Sequence, residues 1–217
     1  MEEEETPMVK IGLLGPEKCG KTCFVHKLVY NDFNKNQQST IGLGFVFKEL
    51  VDEKVQIKFY DFSGSERAES LINSCLKQLD AIIFIYDTTE EFPKKYFLEK
   101  IKNIEESLRS KDDKKNIIYF MLGTKKAILE KREVSYFDVK KFCGENKIYY
   151  FSNFPEIDSK EIEQEVLCNY IKKVVNIIIM KKEKKKIVKP IHSFYYDSHN
   201  DDNEKYRNQE KQDCMIF

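Results

Sequence analysis

The segment of residues 15–22, GPEKCGKT, most constrains how this chain can fold, because it has the spacing G-x-x-x-x-G-K-T. A short apolar run precedes it at residues 9–14, and a stretch with apolar side chains at helical spacing follows it at residues 21–30. In a strand–loop–helix of this kind, the loop N–H groups and the helix N-terminus bind phosphates. The segment therefore predicts a binding site for a nucleotide polyphosphate, in preference to a chance glycine-rich turn.

Seven consecutive residues in and after this loop are candidate nucleotide-binding residues. We expect Lys21 to neutralise the β- and γ-phosphates and Thr22 to offer its hydroxyl to Mg²⁺. The positions of the glycines support a ligand site in this part of the chain. Six of the eight glycines lie in its first third, and glycine concentrates where the backbone approaches a ligand. The candidates are Glu17, Lys18, Cys19, Gly20, Lys21, Thr22 and Cys23.

Strand and helix patterns alternate along the first 180 residues. Strands are predicted at residues 9–14, 81–86, 116–122 and 147–151, and a hairpin is predicted from residues 45–51 and 55–60. Helical patterns occupy residues 21–30, 66–79, 93–110, 135–143 and 158–180. Such alternation indicates an α/β fold with a mostly parallel sheet and helices on both faces. We therefore expect one folded domain over residues 8–180, followed by a disordered tail over residues 181–217.

Charge and cysteine usage exclude several classes of protein. The 217 residues carry 37 basic and 37 acidic side chains, and this balance excludes a globally basic nucleic-acid binder. The start, Met1 followed by four glutamates, lacks the basic and apolar regions of a secretory signal. The six cysteines contain no C-x-x-C pair. We therefore expect free, reduced thiols in the cytosol.

Two further motifs lie where a phosphate-bound metal would be held. Asp61 and Gly64 follow the second half of the predicted hairpin; the carboxylate can hold the Mg²⁺ shell and the glycine N–H can meet a γ-phosphate, although D-x-x-G alone marks a turn. Thr40 precedes the hairpin and can close onto Mg²⁺ and the γ-phosphate, although alone it would only begin a strand. The predicted metal ligands are therefore Thr22, Thr40 and Asp61.

These motifs together give the chain a clear resemblance to the Ras-like small GTPases, nearest to the Rab branch. The resemblance covers residues 8–178. Besides the loop at residues 15–22, it rests on residues 40–45 (TIGLGF), 60–67 (YDFSGSER), 85–89 (IYDTT), 123–125 (GTK) and 131–134 (KREV).

The resemblance implies a six-stranded P-loop G domain with five helices, which binds GTP or GDP with Mg²⁺ as a monomer. It also implies switch loops near residues 32–44 and 61–78 that order around the γ-phosphate. Thr124 and Lys125 take the places of nucleotide-binding residues, and Ile41, Phe45 and Tyr60 those of an effector surface. Ordinary strand packing is an equal alternative for Phe45 and Tyr60. Effector, exchange and activating proteins, and a role in vesicle traffic, follow from the same resemblance.

Two departures from the family pattern concern hydrolysis. The position of the catalytic glutamine, directly after Gly64, is Ser65, which is too short to orient the attacking water. The loop also carries Glu17 and Lys18 where small residues are common. Glu17 places a carboxylate near the γ-phosphate, where it can obstruct an arginine finger; alternatively, the two residues form a solvated pair that points outward. We therefore expect slow hydrolysis.

Two further departures from the family pattern concern recognition of the guanine base. Ala127 stands where the family has an aspartate that accepts both guanine N–H groups. Loss of such a contact costs roughly 1.5–3 kcal/mol, or about ten- to hundredfold in affinity, and weakens guanine selectivity. The usual Ser-Ala-Lys loop is not recognisable at residues 151–154. The alternatives are therefore a slow GTPase switch, a pseudo-GTPase interaction module, and a nucleotidase that acts on another base.

The C-terminus predicts a lipid anchor. Cys214 is the fourth residue from the end and phenylalanine is the last, a pattern typical of geranylgeranylation. Residues 181–189 contain six lysines and one glutamate, and this basic stretch can attract anionic lipid, although it can also be the solvated end of the last helix. We expect a cytoplasmic protein held peripherally on the cytosolic face of an internal membrane.

Overall fold

The computed structural model describes residues 6–32, 38–65, 68–109, 117–124, 133–151 and 164–187. The strands are β1 (Met8–Leu14), β2 (Leu43–Leu50), β3 (Val55–Phe62), β4 (Ala81–Asp87), β5 (Ile118–Thr124) and β6 (Tyr149–Tyr150). The helices are α1 (Lys21–Tyr30), α2 (Glu69–Cys75), α3 (Lys94–Arg109), α4 (Tyr136–Glu145) and α5 (Gln164–Ile187), and a 3₁₀ turn at Leu76–Gln78 follows α2.

The strands form one six-stranded sheet in the order β2-β3-β1-β4-β5-β6. Only the β2–β3 pair is antiparallel, and the predicted hairpin is therefore confirmed. The remaining neighbours pair in parallel. In β4 and β5 every residue is buried, as is expected for parallel strands covered by helices on both faces. The α/β fold with a mostly parallel sheet is thus confirmed.

The core lies in two layers, one on each face of the sheet. On one face α1 and α5 pack on the sheet through residues such as Phe24, Leu28 and Ile171. On the other face α2, α3 and α4 pack through residues such as Phe97 and Phe142. Because β1, β3, β4 and β5 run parallel, their carboxyl ends lie at one edge of the sheet. That edge is where ligands bind in open α/β sheets.

Helix α5 continues beyond the predicted end at residue 180. It runs to Ile187, so the first part of the lysine-rich stretch is helical, which corrects the expectation of disorder from residue 181. Lys182 pairs with Asp80 at 2.9 Å, and the Lys181 ammonium lies 4.7 Å from the centre of the Tyr149 ring. Among the helices of the described residues, none is long and apolar enough to span a bilayer.

Candidate functional site

The glycine-rich loop connects the end of β1 to the start of α1, as its sequence predicts. A Cβ added to Gly15 would lie 2.1 Å from the Ile85 carbonyl oxygen, so only glycine fits there. Gly20 has a φ of 96°, in the left-handed region that favours glycine. Lys18 also has a positive φ, of 60°. The Glu17 and Lys18 side chains are exposed, which agrees with the outward-pointing alternative for this pair.

The Lys21 ammonium is buried inside this loop. Its Nζ donates hydrogen bonds to the carbonyl oxygens of Gly15 at 2.9 Å and Pro16 at 2.8 Å, and only 6% of the residue is exposed. Carbonyl oxygens hold the charge in place without neutralising it. The loop therefore presents one fixed positive charge at the helix N-terminus, where the N–H groups also favour an anion.

Three oxygen-bearing side chains converge beside Lys21. The Thr22 Oγ1 lies 2.6 Å from the Thr40 Oγ1 and donates to the Asp61 Oδ2 at 2.6 Å. The Thr40 hydroxyl also donates to the Asp61 Oδ2, at 3.2 Å. Each of the three predicted metal ligands comes from a different part of the chain: α1, the segment before β2, and β3. The fold brings them to one point at the edge of the sheet.

The donor set at this point fits Mg²⁺. It consists of two hydroxyls and one carboxylate, and the Asp61 Oδ1 is buried with no hydrogen-bond partner in the described structure. Mg²⁺ prefers oxygen ligands and is usually held by one or two carboxylates together with phosphate oxygens. Groups of three or more His, Cys, Asp or Glu side chains that could hold a metal are absent from the described residues. An ion at this point would therefore complete its shell with phosphate oxygens or waters.

Burial raises the pKa of Asp61 above its ordinary value of 3.8. The hydrogen bonds from Thr22 and Thr40 and the charges of Lys21 and His26 act in the opposite direction, and desolvation outweighs them. A divalent cation would favour the charged carboxylate instead. The site is thus electrostatically incomplete without a cation.

The start of the second predicted switch loop touches the glycine-rich loop. A Cβ added to Gly64 would lie 2.5 Å from the Glu17 nitrogen and 2.7 Å from the Pro16 carbonyl carbon. The Ser65 Oγ lies 3.1 Å from the Ser63 Oγ, and the Ser65 N–H donates to that oxygen at 3.3 Å. The Ser65 side chain is thus short and hydrogen-bonded to its own loop.

Thr124 holds the glycine-rich loop from the end of β5. Its hydroxyl contacts the carbonyl oxygens of Cys19 at 2.6 Å and Tyr86 at 3.0 Å. Sequence reasoning missed Thr88, which is 1% exposed and donates from Oγ1 to the Thr124 carbonyl at 2.8 Å. The sequence did indicate this position, because Thr88 follows the carboxyl end of a buried strand, where ligands bind in open α/β sheets.

Several predicted positions lie outside the described residues: Lys125, Ala127, residues 152–154 and Cys214.

The three predicted effector-surface residues differ in exposure. Ile41 is 97% exposed and Phe45 is 50% exposed, so both present apolar surface. Tyr60 is only 1% exposed, and its hydroxyl donates to the Gln78 Oε1 at 3.0 Å. This burial favours strand packing for Tyr60, and its place on the effector surface stays a prediction. Its ring packs beneath Phe45, which is the strand-packing alternative.

Comparison with known proteins agrees with this arrangement. Residues 10–176 match the sequence model of the Ras family. The chain is 32% identical over 145 residues to the Ras-related protein Rab-30 of Homo sapiens, and the match covers 66% of this chain and 69% of that protein. Rab-30 of Bos taurus is similar to the same extent.

Proposed function

Because the chain belongs to the Ras family, as a small GTPase of the Ras and Rab type, we propose that it is a Mg²⁺-dependent GTP/GDP switch with slow hydrolysis that acts on membranes in vesicle traffic. One observation carries the nucleotide-binding part of this proposal. Thr22, Thr40 and Asp61 converge within hydrogen-bond distance of one another beside the buried Lys21 ammonium. That geometry suits a metal-bound triphosphate.

In this proposal each element of the site has a separate task. The N–H groups of the loop and the Lys21 ammonium bind the phosphates, and Thr22 and Asp61 hold the metal shell. Thr40 belongs to a loop that can move, so it reports whether a γ-phosphate and its metal are present. Mg²⁺, when bound, neutralises the charge of the phosphate oxygens. Loss of the γ-phosphate would remove the contacts that hold Thr40 at the site.

The proposed slow hydrolysis follows from Ser65. The Ser65 side chain bonds to Ser63 and has no group long enough to orient a water at the γ-phosphate, a task worth much of the rate in this class of reaction. Glu17 is exposed beside Gly64, so it would slow hydrolysis only by turning inward, where its carboxylate would repel the γ-phosphate and obstruct an arginine finger. Intrinsic hydrolysis is therefore the step that we expect to be impaired most.

A pseudo-GTPase is the second candidate. Ser65 favours it, and so does Ala127, which cannot accept the hydrogen bonds that a guanine edge donates. In that case the chain would remain bound to one nucleotide, or to none, and would serve as an interaction module. Ala127 also permits a nucleotide with another base, but no other residue supports that possibility.

The proposed partners follow from the surface and the tail. Exposed apolar side chains at Ile41 and Phe45 suit effector proteins, and exchange and activating proteins would drive the cycle. We propose that a prenyl group on Cys214, helped by the basic stretch of residues 181–189, holds the protein peripherally on the cytosolic face of an internal membrane.

The test is to purify the full chain from its native cell, identify the nucleotide that co-purifies with it, and follow turnover after reloading with GTP. Bound GDP together with measurable turnover supports a slow switch. Stoichiometric GTP without turnover supports the pseudo-GTPase. Failure of the chain to bind any guanine nucleotide in the presence of Mg²⁺ would overturn the proposal, and a Lys21→Ala variant provides the control for loop-dependent binding.

A further inference from the structure

The outward face of the β2–β3 hairpin carries aromatic rings around one lysine. Alternation along β2 exposes Phe45 and Phe47, which are 50% and 55% exposed, while Val46 between them is buried. Across the hairpin Phe45 pairs with Tyr60 and Phe47 pairs with Lys58. We call these four residues, Phe45, Phe47, Lys58 and Tyr60, the hairpin face; Tyr60 forms its buried floor and is only 1% exposed.

The Lys58 ammonium is held over the rings of this face. Its Nζ lies 4.3 Å from the centre of the Phe45 ring, 5.1 Å from that of Tyr60 and 5.4 Å from that of Phe47. Phe45 and Tyr60 are themselves fixed edge to face, with centroids 5.1 Å apart. Cations within about 6 Å of a ring face are attracted by its quadrupole. The rings therefore preorganise the ammonium and remove part of its water.

The lysine has rings but no acidic partner in the described part of the chain. The ion pairs of the described residues do not include Lys58. Glu49 lies on the same face opposite Gln56 and is exposed. Lys58 is half-buried, and its charge lies among aromatic rings with no neutralising carboxylate in the described residues.

We infer that the hairpin face binds a protein segment that presents a carboxylate between apolar side chains. This inference rests on the effector surface proposed above and names the chemistry of its partner. Exposed aromatic side chains supply the buried contact area that dominates protein–protein affinity, and a preorganised cation among them selects for the opposite charge. A partner that lacks the carboxylate would leave a desolvated ammonium unpaired, which is unfavourable.

A protein segment fits this face better than a membrane does. Attraction to anionic lipid is built from clusters of several lysines or arginines, whereas the hairpin face has the single cation Lys58. Glu49, exposed on the same face, would repel an anionic surface. A single carboxylate on a protein instead needs only the one cation that this face offers.

The experiment is a selection from a displayed library of amphipathic helical peptides whose apolar face has three randomised positions. The target is the full chain, with and without a non-hydrolysable GTP analogue. Parallel selections use Lys58→Glu, Lys58→Met and Lys54→Glu. Lys54 is exposed in the turn of the same hairpin, so Lys54→Glu makes the same charge change outside the face.

Binders to the wild-type chain should be enriched in Asp and Glu at the randomised positions and should bind Lys58→Glu about tenfold or more weakly. The Lys58→Glu chain should select Lys and Arg instead. Lys58→Met should retain apolar binding and lose the acidic preference, and Lys54→Glu should behave as the wild type does. Recovery of wild-type binders without acidic enrichment, or with equal affinity for Lys58→Glu, would overturn the inference.

Two further measurements separate the possible failures. Binding of vesicles that contain phosphatidylserine, lost in Lys58→Glu without any acidic preference among the peptides, would assign the face to lipid and overturn the inference. Binding of a fluorescent GTP analogue is measured on the same preparations. Normal GTP binding without an acidic preference would contradict this inference alone, whereas absence of GTP binding would contradict the proposed function.

Discussion

At the scale of single residues, Asp61 places stability and ligand binding in opposition. Its carboxylate is 3% exposed and its Oδ1 has no hydrogen-bond partner in the described structure. Burying an acceptor without a partner costs about 1–3 kcal/mol. The same oxygen is available to a cation, so the residue that destabilises the metal-free protein is the one whose carboxylate a bound metal would satisfy.

Asp61→Asn should therefore stabilise the protein without metal and impair its Mg²⁺-dependent binding of GTP. We expect the free energy of unfolding in EDTA at neutral pH to rise by roughly 1 kcal/mol, because the amide carries no charge to desolvate. Affinity for a fluorescent GTP analogue in Mg²⁺ should fall about tenfold or more, a change of at least 1.4 kcal/mol. Denaturant unfolding and a fluorescence titration measure the two effects. A variant that is destabilised in EDTA would contradict this account.

The pH dependence of stability follows from the same carboxylate. Because the pKa of Asp61 is raised in the folded state above 3.8, the folded state binds this proton more tightly than the unfolded state does. Stability of the metal-free protein attributable to Asp61 is therefore greatest in acid and falls as the pH rises through the raised pKa. The difference in unfolding free energy between wild type and Asp61→Asn should therefore grow as the pH rises from 3.8 to the raised pKa of Asp61. A difference that is constant with pH would exclude titration of Asp61 as its cause.

Gly64→Ala tests the contact between the two loops. The added Cβ would lie 2.5 Å from the Glu17 nitrogen, which is backbone, so one loop must move. We expect a loss of about 1–3 kcal/mol in stability together with weaker GTP binding. Gly144→Ala is the matched control, since nothing lies within 4 Å of its Cβ and alanine favours a helix by roughly 0.5–1 kcal/mol. Equal effects of the two substitutions would contradict the contact.

Sequence reasoning identified the chemical groups of the site but not all of their surroundings. Lys21, Thr22 and Asp61 could be predicted because a local spacing specifies their positions. The contact of Thr124 with the Cys19 carbonyl joins residues 105 positions apart, and no local pattern encodes it. Tyr60 was assigned to the effector surface from its place in the family motif, but its burial depends on how α2 and the Leu76–Gln78 turn cover the sheet.

At the scale of elements, α2 is fixed to α3 by one carboxylate. Glu69 accepts hydrogen bonds from the Lys100 ammonium and, at 2.8 Å, from the Asn103 amide. Burial would raise the pKa of Glu69, but these hydrogen bonds and the charge of Lys100 outweigh it, so the pKa is lowered. Because α2 belongs to the predicted second switch loop, this contact opposes its release from α3.

Lys100→Met should loosen α2 while the aliphatic packing of the side chain is kept. We expect amide hydrogen exchange across Glu69–Cys75 to accelerate about fivefold, which corresponds to roughly 1 kcal/mol for a partly exposed ion pair. The effect should be full above about pH 4.5, the ordinary pKa of Glu69, and should fade as the pH falls through its lowered pKa, since protonation removes the partner charge.

Lys102→Met is the matched control on the same helix. Lys102 lies 3.9 Å from Glu106, with side chains 73% and 61% exposed, and such pairs contribute little to stability. Exchange in α2 should be unchanged in this variant. If both variants accelerate exchange equally, the effect would come from α3 as a helix and not from its contact with α2.

Element boundaries were predicted well where hydrophobic periodicity defines them and less well where charge interrupts it. The predicted strand at residues 81–86 lies within β4, since a continuous apolar run has one interpretation in a parallel sheet. The end of α5 was placed seven residues too early, because lysines resemble a tail in composition. Lysine is nonetheless a good helix former, and Lys182 gains an ion pair with Asp80 that the sequence does not reveal.

At the scale of the whole molecule, the zero net charge conceals a division along the chain. Residues 181–189 carry six lysines and one glutamate, whereas residues 190–217 carry six acidic and three basic residues. The structure ties the beginning of the basic stretch to the domain through Lys182 and Asp80. Basic charge is thus placed next to the folded domain, at the opposite end of the tail from Cys214.

Removal of the predicted lipid site should release the protein from membranes. One prenyl chain on Cys214 gives only marginal binding, and a basic stretch adds about 1 kcal/mol per lysine near an anionic surface. In cells Cys214→Ser should therefore move from the membrane pellet to the soluble fraction, and replacing the lysines of residues 184–189 with glutamine should shift it only in part. Cys168→Ser, a change of the same type within α5, should remain with the membranes. Mass spectrometry of the C-terminal peptide identifies the lipid directly, and membrane association that persists in Cys214→Ser would exclude a prenyl anchor at this cysteine.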